Sequence, residues 1–122
     1  FFAVWCPHCQ AMTKVLNQVD AQFRPKGLQT IAVLASPYGK NYDTSNGTDL
    51  SIVTKSDINW FISNFQVSHP TVIDPTFATV NQYGASSYPT LYVVDKNGII
   101  RYANTGERPY AELANAITPL LK

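Results

Sequence analysis

The sequence predicts an α/β domain, a central mixed sheet with helices on both faces, spanning residues 1–122 as one unit. Three observations carry this expectation. An apolar helical stripe over 6–24 lies between the apolar stretches Phe1–Val4 and Leu28–Ala35, which reads as a βαβ unit. Two further strand patterns meet across Lys96-Asn97-Gly98, a tight-turn signal. The amphipathic segment Pro109–Ile117 follows them as a final helix.

Each element has its own justification. Met12, Val15, Leu16, Val19 and Phe23 recur at helical spacing. Pro7 suits the first helical position, where no amide hydrogen is needed, so Cys6 falls at the N-cap and Cys9 in the first turn. Pro25-Lys26-Gly27 ends the helix. Leu28–Ala35 is continuously apolar, as a buried parallel strand is. Residues 36–53 form a polar loop, read either as a border of the functional surface that sets partner choice or as a decoration away from it. A helix over 56–65, capped by Thr54 or Ser56, buries Ile58, Phe61, Ile62 and Phe65. Thr71–Ile73 is a short strand, and Thr76–Tyr83 a short helix stopped by Gly84. Thr90–Val94 and Ile99–Ala103 make the hairpin. Pro119 breaks or kinks the last helix. The expected sheet order is Leu28–Ala35, Phe1–Val4, Thr90–Val94, Ile99–Ala103.

Composition narrows the function. Hydrophobic residues at 45% exclude a disordered chain. Nine Lys and Arg oppose eight Asp and Glu, so nothing electrostatic favours nucleic acid or an anionic membrane surface. The longest apolar runs, Phe1–Cys6 and Ile31–Ala35, fall far short of the ~20 residues of a membrane span. No signal-peptide pattern is present. The start on Phe1-Phe2-Ala3-Val4, without Met, reads as an excerpt of a longer chain whose central strand is cut short.

The chemistry concentrates in Trp5-Cys6-Pro7-His8-Cys9. A disulfide between Cys6 and Cys9 closes too small a loop to stabilise the fold much, which favours a chemical role over a staple. Zinc needs about four ligands, and only His8 and His69 could supplement the thiols, so no metal is expected. Gln10 stands where covalent haem attachment requires His. A sulfur at a helix N-terminus is favoured as the thiolate, the form that attacks disulfides.

W-C-P-H-C at a strand-to-helix junction, Tyr88-Pro89-Thr90 before a strand, and the hairpin and helix beyond resemble the thioredoxin superfamily across nearly the whole chain. The long stretch between Cys9 and Pro89, with its extra helix and S-H-P-T-V-I-D-P, resembles the extracytoplasmic bacterial ResA and TlpA branch. The Pro7-His8 dipeptide is similar to that of the disulfide-forming DsbA family. The fold implied is the thioredoxin fold with an insertion before the cis-proline strand.

The resemblance implies roles. Cys6 is the attacking nucleophile and Cys9 the resolving thiol. His8 donates to the Cys6 thiolate. Pro89 is the cis-proline beside the site, leaving the backbone of Tyr88 free to pair with an extended substrate. Trp5, Pro7 and Tyr88 contact substrate. His69 is read as a surface loop residue. ResA-type proteins place a glutamate shortly after the motif, but Gln10, Ala11 and Met12 stand here, so no proton acceptor for Cys9 is identified.

The expected function is a thiol:disulfide oxidoreductase acting on protein cysteines outside the cytoplasm. It has a redox recycling partner and no cofactor beyond its own dithiol. The ResA/TlpA and DsbA cues oppose each other on the direction of electron flow. Two alternatives stand beside it: a peroxiredoxin-type peroxide reductase, and a redox-inactive metal-binding module such as a metallochaperone.

Overall fold

Helix α1, Pro7–Phe23, begins one residue after Cys6, whose backbone is extended at φ −84° and ψ 116°. Pro7 occupies its first turn, as its fixed φ and missing amide hydrogen favour. A 3₁₀ turn at Arg24–Lys26 ends in Gly27 at φ +107°, a left-handed conformation that strains other residues. The described residues of this computed structural model are 1–42 and 51–121, so part of the predicted 36–53 loop lies outside them.

Strand β1 is Ala32–Leu34 and β2 is Thr71–Ile73, and the two pair in parallel. Strands β3, Thr90–Val94, and β4, Ile100–Thr105, form an antiparallel hairpin. The Asp95 carboxylate organises its turn by accepting from the amides of Asn97 at 2.9 Å and Ile99 at 3.0 Å.

Phe1 and Phe2 join these two halves. Phe2 bridges Leu34 in parallel, its amide donating to Val33 O at 3.0 Å and its carbonyl accepting from Ala35 N at 2.8 Å. Phe1 exchanges backbone bonds with Thr90 at 2.8 and 3.1 Å. The expected order therefore holds, with β2 added outside β1. Two predicted strands are shorter than expected. Phe1–Val4 pairs only at Phe1 and Phe2, because the chain then turns so that Cys6 N donates to Ala3 O at 3.2 Å. Leu28–Ala35 contracts to Ala32–Leu34, since Leu28 packs with Met12, Val19 and Phe23 instead of joining the sheet.

Alternation along the strands separates the faces. Phe2 turns toward α1 and toward Phe61 of α2, Lys55–Phe65, with ring centroids 4.8 Å apart. Phe1 turns the other way, toward Tyr83 of α3, Ala78–Tyr83, and Tyr92 of β3. Leu91 and Val93 pack with α1 and with Leu113 and Ile117 of α4, Tyr110–Ile117.

Helix α2 starts on a capping box. Thr54 Oγ1 accepts from Asp57 N at 3.2 Å, and Thr54 N donates to Asp57 Oδ2 at 2.8 Å. Ile58 and Phe61 are buried as predicted, while Ile62 and Phe65 are half-buried. Helix α3 starts two residues later than predicted because Asp74 draws the preceding chain into a turn, accepting from Thr76 and Thr79. The predicted helix Pro109–Ile117 begins at Tyr110, with Pro109 extended as its N-cap, and Pro119 lies in a closing 3₁₀ turn.

His69 corrects its prediction. It is buried, not on the surface, because Ser68 beside it is drawn onto α1 by Asn17 and Asp20. Asp20, itself buried, also pairs with Arg24. Burial pushes the His69 imidazole below its ordinary range; Arg24 acts in the same sense and Asp20 opposes it.

Candidate active site

The dithiol sits where the sheet hands over to α1. The turn after Phe2 aims Cys6 at the helix start, and Gln10 N donates to Cys6 O at 3.1 Å to make the first helical bond. Cys6 thus lies among the free amides of the first turn, the positive end of the helix. Cys9 follows one turn on, and both cysteines are free thiols, 5% and 2% exposed.

The two sulfurs are electrostatically unequal. Burial pushes the Cys9 thiol far above its ordinary range; a backbone hydrogen bond from Ala3 opposes this, and neighbouring Cys6 reinforces it. Cys9 therefore keeps its proton at neutral pH. The asymmetry fits a pair in which one thiol attacks and the other waits.

Tyr88 and Pro89 arrive from 82 residues away to cover Cys6. Their peptide bond is cis, and the Cys6 thiol donates to Tyr88 O at 3.6 Å. The Tyr88 hydroxyl donates to Ala35 O at 3.4 Å, and its ring stands on edge to Trp5 at 6.0 Å. Trp5 Nε1 donates to Ser36 Oγ at 2.8 Å. Trp5, Cys6, Pro7, Cys9, Tyr88 and Pro89 are thereby gathered in one region of the fold.

The bond made by the His8 ring is to Glu107, with Nδ1 2.6 Å from Oε2. Gln10, in the stretch where ResA-type proteins are expected to carry a glutamate, donates from its side chain to Val4 O at 3.0 Å. Sequence reading missed Glu107, which follows the hairpin and carries no local motif. It also missed Ser36, Tyr38 and Tyr42, which lie in the described part of the 36–53 loop.

Among the described residues, no three His, Cys, Asp or Glu side chains gather as a metal-ligand set. No described helix is long and apolar enough to cross a membrane.

The sequence model of the AhpC/TSA family matches residues 1–103, the span that carries the whole dithiol site from Trp5 to Pro89. The chain belongs to the AhpC/TSA family. This AhpC/TSA chain is similar to the thiol-disulfide oxidoreductase ResA of Geobacillus thermodenitrificans, 25% identical over 107 residues, 87% of this chain and 52% of that protein. A crystal structure described as thiol:disulfide interchange protein DsbE from Chlorobium tepidum matches with a TM-score of 0.79 and 25% identity, covering 100% of this chain and 77% of the other. StoA from Bacillus subtilis matches with a TM-score of 0.71 and 16% identity, over 95% of this chain and 77% of that one. The chain spans about half the length of the curated relatives it matches. The fold is thioredoxin-like, as the sequence motifs imply.

Proposed function

We propose that this AhpC/TSA chain is a thiol:disulfide oxidoreductase that exchanges electrons with protein cysteines through Cys6 and Cys9. One observation carries the reading: an N-cap thiol beneath the Tyr88 carbonyl, with a second, proton-retaining thiol one turn behind it. The names of the ResA relatives support it.

In the reducing direction, the Cys6 thiolate attacks one sulfur of a substrate disulfide and expels the other as a thiolate. Cys9 then gives up its proton and attacks Cys6 Sγ. The Cys6–Cys9 bond forms, the mixed disulfide breaks, and the substrate leaves with both electrons. Disulfide formation is the reverse. The helix N-terminus at Cys6 is the feature that stabilises the reduced dithiol, while the His8 ring is engaged by Glu107. We therefore place the pair toward the oxidising end, nearer the ~−120 mV of DsbA than the ~−270 mV of thioredoxin. The dithiol itself carries the electrons, without a metal or organic cofactor. The ResA likeness supports an extracytoplasmic setting and a separate recycling partner.

Equilibration with a glutathione redox series tests the reading and measures the potential. Cys6→Ser is expected to abolish exchange. Cys9→Ser is expected to trap a mixed disulfide with a cysteine-containing protein, visible by mass spectrometry. A Cys9→Ser protein that traps none, with hydrogen peroxide consumed at Cys6 instead, would transfer the site to peroxide reduction.

A further inference from the structure

Beside the dithiol lies a run of aromatic rings that the exchange chemistry does not use. Trp5 meets Tyr42 at 4.9 Å between centroids, at 63°. Tyr42 stacks on Tyr38 at 4.5 Å and 13°. In the other direction Trp5 meets Tyr88, whose carbonyl accepts from Cys6. The rings thus continue from the reacting sulfur into the segment that follows β1. All are half-buried.

These rings are anchored. Buried Ser36 accepts through one oxygen from both Trp5 Nε1 at 2.8 Å and Tyr38 N at 3.3 Å. Tyr38 bridges Ile52, Gly39 N donates to Ser51 O at 2.9 Å, and Val53 N donates to Pro37 O at 2.7 Å. Tyr42 N donates to Gly39 O at 3.2 Å. Ordering cost at binding is therefore small, as a preorganised surface requires.

We propose that Tyr42 and Tyr38 are specificity-determining residues that select protein cysteines flanked by a large apolar or aromatic side chain. The inference rests on the thiol-exchange reading above. The geometry sets the position of that side chain. A peptide lying extended past Cys6 advances ~3.3 Å per residue, and side chains two residues apart share a face. Trp5, the neighbour of Cys6, meets Tyr42, so we place the residue two positions from the substrate cysteine, on the same face of the peptide, toward the Tyr42 ring. The charge pattern sets its chemistry. The rings bear no charge, and the ammonium of Lys40 is engaged elsewhere, over the Trp60 ring at 5.3 Å. An apolar ring meets the edges and faces that aromatic pairs prefer.

The test uses oxidised protein and reduced tetrapeptides Gly-Cys-Gly-Xaa, with Xaa as Phe, Leu, Ser, Lys or Glu. The peptide thiolate attacks Cys6, the Cys6–Cys9 bond breaks, and Cys9 leaves as a thiolate that takes a proton from water. The rate constant for mixed-disulfide formation is read by mass spectrometry after acid quench. Phe is expected to exceed Ser by about tenfold, the factor given by ~1.4 kcal/mol of ring burial. The Phe/Ser ratio is expected to fall toward one in Tyr42→Ala and to persist in Tyr42→Phe. Tyr42→Lys is expected to move the preference toward a Glu-flanked peptide. Equal rates for all peptides with wild-type protein, or a Phe/Ser ratio preserved in Tyr42→Ala, would overturn the inference. Failure of glutathione and of every peptide to open the disulfide would instead overturn the exchange reading beneath it, and this inference with it.

Discussion

His8 Nδ1 and Glu107 Oε2 meet at 2.6 Å across 99 residues of chain, at the rim of the dithiol. Both side chains are well exposed, so the pair adds little to stability, and its consequence is positional. Glu107 holds the imidazole of the residue that stands between the two cysteines in the sequence. His8→Ala is expected to make the pair more reducing against glutathione. Glu107→Gln is expected to act in the same sense and more weakly. The double variant is expected to match His8→Ala alone, since Glu107 acts through His8. Additive effects on the potential would show that Glu107 acts on the sulfur directly.

Cys9 makes the reduced protein sensitive to alkali. Below the ordinary thiol value of ~8.5, folded and unfolded chains both hold this proton. Above it the unfolded chain releases the proton while burial keeps it on folded Cys9. The native state then binds more protons, and stability falls as pH rises. Melting temperatures of the reduced protein are expected to drop progressively above about pH 8.5, and Cys9→Ala is expected to flatten that slope. At neutral pH, iodoacetamide is expected to modify Cys6 well before Cys9, as peptide mapping reads.

His69 acts at the opposite end of the scale. Its buried imidazole binds a proton less readily than in the unfolded chain, with Arg24 adding to the effect of burial and Asp20 opposing it. Its contribution to stability is therefore complete above ~6.5 and is lost as pH falls below that value. Urea midpoints between about pH 6.5 and 5 are expected to decline less in His69→Gln than in the parent protein. Parallel declines would assign the acid limb to other groups.

Gly39 couples the aromatic segment to α2. A Cβ there would lie 2.8 Å from Asp57 Oδ2, which accepts from Thr54 N at 2.8 Å in the capping box. The carboxylate has to leave one contact to avoid the other. Gly39→Ala is expected to cost about 0.5–2 kcal/mol, the range of a lost cap. It is expected to cost less in an Asp57→Ala background, where the obstacle is gone. Thermal unfolding of the four proteins in that cycle measures the coupling.

Local rules carried the sequence a long way. The helical stripe through Met12, Val19 and Phe23 marked the buried face of α1, and Pro7 marked its first turn. The cysteines declared their positions because a helix start needs only neighbouring residues to be recognised. The cis bond at Pro89 came from resemblance, as nothing local distinguishes that proline. What stayed illegible was tertiary. His69 is buried by Asn17 and Asp20 acting through Ser68, 48 residues from Asp20. Glu107 reaches His8 only after the hairpin folds back. The ends of β1 shifted because Leu28 found a better apolar environment beside Met12 than in the sheet, a choice periodicity does not reveal.

The 82 residues between Cys6 and the Tyr88 carbonyl also order events during synthesis. Translation proceeds at ~5–20 residues per second, so the nucleophile waits several seconds or more for the strand that covers it. Over that interval the newborn chain carries two thiols without their lid, open to pairing with each other, with small oxidants or with another nascent chain. The dithiol is made well before the residue that encloses it.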